Sequence, residues 1–252
     1  MIERLLAQFL YHPVVLHRQA PPPSYAQGAS EVFVETDLGD EIHGLYWPAP
    51  ANRPTILFFH GNAQSVFEWA LIAPDLAPLE CGLLLIDYPG YGKSSGKPNE
   101  KALFAAGRAS LAWLTNQGIP AKMVLVFGKS LGGPVALHTA SQQEVLGVIL
   151  ESTFRSLPNV ISRIVPALPT SLIRTERYDS TSILAGLAAP ILVVHGDRDE
   201  LIPFSEGQAL FAEAREPKEM YVVTNGGHND VSMAAGREYG RRLRRWLDGV
   251  FQ

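Results

Sequence analysis

Residues 125–134 read LVFGKSLGGP, and that string fits two different chemistries. Its GKS ends the phosphate-binding loop of many nucleotide hydrolases, which would make Lys129 the working residue. Its GKSLG also fits G-x-S-x-G, the turn that presents a nucleophilic serine, which would make Ser130 the working residue. Spacing decides between them. A phosphate loop needs a first glycine five positions before its Gly-Lys pair, so that backbone N–H groups can wrap the phosphates. That position is Met123 here; for the second GKS, Gly92 to Ser94, it is Asp87, whose carboxylate would repel a phosphate. The serine reading stands. It leaves Lys129 a bystander whose replacement by alanine is expected to spare most activity.

A serine hydroxyl is a poor nucleophile until a base takes its proton, and the base needs a third group to fix its tautomer. The chain has seven histidines. His12, His17 and His43 lie in the N-terminal region or an early hairpin, and His138 falls inside a helix where it packs. His60 and His195 end buried strands, in FFHGN and VVHGD, early in their loops. His228 follows the last strand in TNGGHND, on a glycine-rich loop before the final helix, and is the expected base. For the acid, HGDRDELIP offers Asp197, Asp199 and Glu200. Asp199 is chosen because LIP would pack its loop down, and Asp197 is read as a loop support. Glu151, at the end of the preceding strand, is the rival acid. The oxyanion of a tetrahedral intermediate needs two donors: the Leu131 N–H at the start of the helix after the serine, and a backbone N–H near Asn62 in FFHGNAQS.

These groups need a frame. EVFVET and EIHGLYW alternate apolar and polar residues around DLGD, a hairpin signal. After them come short, wholly apolar runs, TILFF, GLLLID, MVLVFG, LGVILE and PILVVHG, with EMYVVT as the last strand. Runs this continuous suit strands buried on both faces of a parallel sheet. Helical segments near 64–79, 99–117, 131–143, 205–215 and 230–248 alternate with them. The expected fold is therefore α/β, a mostly parallel sheet of about eight strands with helices on both faces and its ligand site at the carboxyl ends of the strands. Residues 152–188 break the rhythm with Pro158, Pro166 and Pro169 among apolar residues. They are read as a small cap within one domain spanning 1–252. Phe154, Leu157, Ile161 and Leu172 are expected to roof an acyl pocket.

Composition narrows the function. A net charge of −4 leaves no basic footprint for nucleic acid. There is no H-E-x-x-H and no Cys/His cluster at ligand spacing, so no metal is expected. The single cysteine, Cys81, rules out an internal disulfide framework and fits a reducing, cytoplasmic setting. In residues 1–23, a helix and an APPPS connector, Ile2, Leu5, Leu6, Phe9 and Leu10 share one helical face. That face either packs on the body or makes a peripheral membrane contact through residues 1–16. Residues 1–20 are expected to be dispensable for the chemistry; loss of activity together with stability on their deletion would favour the packed helix.

With Ser130, Asp199 and His228 in that chain order, the sequence resembles the α/β-hydrolase-fold serine hydrolases over about residues 30–250. HGN, DYPGYGKSSG, ESTF, and YDS ahead of PILVVHGDRDELIP make it similar to the branch of lysophospholipase-like and depalmitoylating α/β-hydrolase-domain proteins. The resemblance implies that Asn62 and Leu131 supply the oxyanion hole and that DYPGYGKSSG is a structural loop. It implies hydrolysis of a small-molecule ester or acyl substrate without a cofactor. Three functions follow for comparison: a carboxylic-ester hydrolase with an apolar acyl pocket, an acyl-thioesterase or lysophospholipase at a membrane surface, and a catalytically silent binding protein. The intact Ser, His and Asp argue against the last.

Overall fold

The computed structural model describes residues 10–164, 170, 173 and 175–251. Eight strands form one sheet in the order β1-β2-β4-β3-β5-β6-β7-β8: β1 Ser30–Glu35, β2 Glu41–Trp47, β3 Thr55–Phe59, β4 Gly82–Ile86, β5 Val124–Lys129, β6 Gly147–Glu151, β7 Ile191–Gly196 and β8 Lys218–Val223. β1 and β2 pair antiparallel, as the hairpin signal predicts, and β2 joins β4 antiparallel; every pairing from β4 through β8 is parallel.

The apolar runs are strands with two buried faces. Leu57, Phe59, Leu84, Ile86, Val126, Leu150 and Val193 enter one core layer. Their neighbours Ile56, Phe58, Leu83, Leu85, Phe127, Ile149 and Val194 enter the other. This is the period-two alternation of a strand expressed inside two cores at once. The first layer is covered by α3 (Glu100–Asn116), α4 (Gly132–Ala140) and α7 (Phe204–Glu213), through residues such as Leu103, Val135 and Leu210. The second is covered by the short α1 (Val66–Trp69) and by α9 (Arg237–Val250), through Phe67, Leu243 and Trp246.

Two expected helices are divided. In place of one helix over 64–79 there are α1, α2 (Ala73–Leu76) and two 3₁₀ turns, Ala70–Ile72 and Ala77–Leu79. Pro74 and Pro78 lack the N–H that would continue the ladder. The last helix splits into α8 (Val231–Ala235) and α9 at Gly236, whose φ of 54° and ψ of −138° suit glycine. Within 152–188 the described residues form α5 (Leu157–Ile164) and α6 (Ser180–Leu184).

The N-terminal segment is sewn down where it is described. Leu16 N donates to Gly92 O at 2.8 Å, and Gly92 N donates to Val14 O at 2.7 Å. The Tyr11 hydroxyl meets the Glu176 carboxylate and the Tyr178 hydroxyl. Residues 11–16 thus act as a strap, a role that the expectation of a dispensable N-terminus did not foresee. Of the apolar face read from the sequence, Ile2, Leu5, Leu6 and Phe9 lie outside the described residues.

Candidate active site

β5 runs into α4 through Ser130, which adopts φ 52°, a left-handed conformation that costs a non-glycine residue about 1–3 kcal/mol. The surroundings enforce it. Ser130 N donates to Glu151 O at 2.9 Å, Gly133 N donates to Ser130 O at 3.0 Å, and the Thr153 hydroxyl donates to Ser130 O at 2.6 Å. The turn also demands close packing. A Cβ on Gly132 would sit 2.0 Å from Phe59 O and 2.9 Å from His60 O, so only glycine lets α4 lie this near the end of β3.

His228 reaches Ser130 from the loop after β8. Its Nε2 is 3.1 Å from Ser130 Oγ and its Nδ1 is 2.8 Å from Asp199 Oδ2. The other Asp199 oxygen accepts from Leu201 N at 3.0 Å and from Ile202 N at 2.8 Å. Burial pushes the Asp199 carboxyl up. Hydrogen bonds from His195 and His228, the His228 charge and the Ile202 N–H outweigh that push and hold it far below the usual carboxylate range. The structure therefore brings Ser130, His228 and Asp199 into one hydrogen-bonded chain. Asp197 braces the base loop instead, accepting from Asn225 N at 2.7 Å.

Glu151 is engaged elsewhere. It is 2% exposed, takes the Lys129 ammonium on Oε1 at 2.5 Å and the Tyr239 hydroxyl on Oε2 at 2.6 Å. Lys129 is therefore no exposed bystander: it is buried and also donates to the His228 carbonyl at 3.3 Å.

Asn62 and Leu131 flank the serine. A Cβ on Gly61 would lie 3.4 Å from Ser130 Cβ, which puts the end of β3 against Ser130. Among the described residues the Asn62 and Leu131 N–H groups find no acceptor, which leaves both free for a ligand oxygen. The Asn62 side-chain oxygen gathers three donors: Oδ1 accepts from Ala63 N at 2.9 Å, Tyr91 Oη at 2.9 Å and, from the strap, His12 N at 3.1 Å.

Phe154 and Leu157 are buried and Ile161 packs half-buried beside them, in the core layer that also holds Leu131 and Ile202. Leu172 lies outside the described residues. A cavity of about 560 Å³ opens at the Asn62 turn, walled by Asn62, Trp69, Leu71, Ile72, Lys129 and Asn229 among others but by no member of the Ser130, His228, Asp199 chain. Phe154, Leu157 and Ile161 do not line it.

Two supports escaped the sequence reading. His195 donates from Nε2 to Ile202 O at 2.8 Å and so locks the turn that carries Asp199; its only sequence signal was its place at the end of a buried strand. Asp87, fully buried, accepts from His43 Nδ1 at 2.8 Å and from Val66 N at 2.9 Å, which anchors the DYPGYGKSSG loop beneath the β3 end. No helix among the described residues is long and apolar enough to cross a membrane, and no group of three or more His, Cys, Asp or Glu among them could hold a metal ion.

Comparison with known proteins places this frame. A family model described as alpha/beta hydrolase fold matches residues 54–177. An uncharacterized protein of Mycobacterium tuberculosis is 36% identical over 86% of this chain and 78% of its own length. Human alpha/beta hydrolase domain-containing protein 17B is 35% identical over 91% of this chain and 78% of its own length. Among solved structures, the Pyrococcus furiosus esterase Pf2001 superposes with a TM-score of 0.77 at 19% identity, covering 96% of this chain and 99% of that one, a likeness of fold.

Proposed function

Because this chain belongs to the alpha/beta hydrolase fold family, we propose that it is a serine hydrolase cleaving carboxylic esters with an apolar acyl group. The observation that carries the reading is the relay: His228 Nε2 at 3.1 Å from Ser130 Oγ, with Nδ1 at 2.8 Å from an Asp199 held ionised. Ser130 Oγ attacks the ester carbonyl carbon while its proton passes to His228 Nε2. Asp199 accepts the Nδ1–H and stabilises the imidazolium. The tetrahedral oxyanion takes the free N–H groups of Asn62 and Leu131. The C–O bond then breaks, and His228 returns the proton to the leaving alkoxide. Water, deprotonated by His228, releases the acid from the acyl-enzyme and restores Ser130. The cavity that Asn62 shares with Trp69, Leu71 and Ile72 supports a role for those three in holding one arm of the substrate.

A second reading, an acyl-thioesterase working at a membrane surface, rests on the resemblance of HGN, DYPGYGKSSG and ESTF to the depalmitoylating branch and uses the same residues. In it, residues 1–9, ahead of the strap, make the membrane contact. One experiment tests both. A fluorophosphonate probe should label the wild type and not Ser130→Ala, and a panel of p-nitrophenyl esters beside an acyl-thioester should show which bond is cleaved faster. A wild type that neither takes the probe nor hydrolyses any of these compounds would refute a working serine.

A further inference from the structure

We infer that Lys129 is a positioning residue for the base, holding His228 through its main-chain carbonyl; the inference rests on the reading of Ser130 and His228 as nucleophile and base. Lys129 is 5% exposed and immediately precedes Ser130. Its ammonium donates to Glu151 Oε1 at 2.5 Å and to His228 O at 3.3 Å. Glu151 is held from its other side by the Tyr239 hydroxyl, and its own carbonyl accepts the Ser130 N–H at 2.9 Å. One buried group of side chains therefore touches the backbone of the nucleophile on one side and of the base on the other.

Stability alone gives no reason to keep such a pair. Replacing a buried ion pair by apolar side chains of similar size is often neutral or favourable, because two desolvated charges recover little more than they lost. What an apolar pair cannot do is donate to a carbonyl. Among the described residues Lys129 is the one side chain that reaches His228 O, and no backbone N–H donates to it. The loop that carries His228 is otherwise fixed around that residue, at Gly226 O by Arg198 N at 2.9 Å and at Gly227 N by Asp230 Oδ1 at 2.6 Å. The imidazole thus has two ties of its own, Asp199 on the ring and Lys129 on the main chain. Relaxing the second lets the ring drift from Ser130, and a misplacement of about 1 Å can cost on the order of 100-fold in rate.

Three variants separate positioning from structure: Lys129→Met, Glu151→Gln, and the two combined. Lys129→Met leaves the Glu151 carboxylate buried without its cation and should lower the melting temperature. The double variant removes both charges while the new side-chain amide still accepts from Tyr239, so its melting temperature should return toward the wild type. Its kcat on a soluble p-nitrophenyl ester should nevertheless stay on the order of 100-fold below wild type with KM little changed, because the His228 carbonyl still lacks its donor. Glu151→Gln alone, which keeps Lys129, should hold kcat within about tenfold. A double variant that regains wild-type kcat along with its stability would overturn the inference and make the pair structural. A loss confined to KM would overturn it too, by making Lys129 a substrate contact on the cavity wall. Failure of the underlying reading looks different: His228→Ala would then hydrolyse the ester as fast as the wild type.

Discussion

Replacing Asp199 by asparagine changes one atom and should silence the site. The two carboxylate oxygens have different neighbours. Oδ1 faces two donors, Leu201 N at 3.0 Å and Ile202 N at 2.8 Å, and Oδ2 faces His228 Nδ1 at 2.8 Å. An amide must choose. If its NH₂ faced the two backbone N–H groups, three sets of donors would meet with no acceptor, and buried donors left unpaired cost about 1–3 kcal/mol each. The carbonyl oxygen therefore stays on Leu201 and Ile202, and the NH₂ turns to His228. The ring must then accept at Nδ1 and carry its proton on Nε2, where it points at Ser130 Oγ 3.1 Å away. A protonated Nε2 cannot take the serine proton. In the serine-protease template the same wrong-tautomer substitution costs about 10⁴ in kcat, or ~5.4 kcal/mol of barrier. The assay is steady-state hydrolysis of a p-nitrophenyl ester near neutral pH, with thermal melting as a control for folding. Asp199→Asn should melt near the wild type and lose on the order of 10⁴ in kcat, while Glu151→Gln loses far less. An Asp199→Asn enzyme within tenfold of the wild type would sink the tautomer argument and with it Asp199 as the orienting acid.

Gly132→Ala would force a methyl to within 2.0 Å of Phe59 O, so α4 must back away from β3; a loss of ~3 kcal/mol, a melting point lower by about 5–10 °C and impaired turnover are expected, and a fully stable variant would show that the turn tolerates a side chain there. Burial, with a smaller contribution from Arg108, lowers the His138 pKa from 6.5 to about 4, and its ring is stacked 4.1 Å from Phe104. Because the fold favours the neutral ring, its contribution is complete above pH 6.5 and is lost as pH falls from there toward pH 4, by about 1–2 kcal/mol after allowing for its partial exposure. His138→Phe should narrow the stability gap between pH 7.5 and pH 4.5 measured by denaturant titration, and an unchanged gap would discount the ring. Deleting residues 1–16 removes the His12 N–H from Asn62 and the Tyr11 hydroxyl from Glu176. It should lower both melting temperature and soluble-ester kcat, whereas full activity would return the strap to the dispensable role read from the sequence.

What was legible in the sequence follows the reach of each signal. The strands of the sheet could be read because a strand buried on both faces must be apolar at every position, and LLLI or ILVV has no other economical use. The serine turn could be read because strand, tight turn and helix are contiguous in the chain. The segment 64–79 divides because Pro74 and Pro78 interrupt the ladder that its apolar content alone would predict. The burial of Lys129 is hidden for a different reason. Its partners, Glu151 and His228, lie 22 and 99 positions away, and no local pattern announces a buried cation whose neutralising charge arrives from another strand. His195 has the same character: its use is set by a carbonyl seven residues on, after a turn whose shape the sequence does not spell out.

Asn62 shows how such distant contacts can bear on chemistry. In the proposed mechanism its N–H holds the oxyanion, so the peptide plane that carries it must not rotate. The chain enters that peptide from Gly61 and leaves it through Ala63 and Gln64, both at φ 67°, conformations that need outside support. The support converges on a single atom. Oδ1 of Asn62 gathers a donor from the next residue, one from Tyr91 in the DYPGYGKSSG loop and one from His12 in the strap. The strap in turn is tied by Tyr11 to Glu176, which lies in the segment after β6 and also accepts the Glu100 N–H at the start of α3. Two stretches with no reacting atom of their own thus meet at the turn where charge would develop, and a third braces one of them. An amide oxygen suits that junction better than a carboxylate would, since it accepts the same donors without setting a negative charge beside the developing oxyanion.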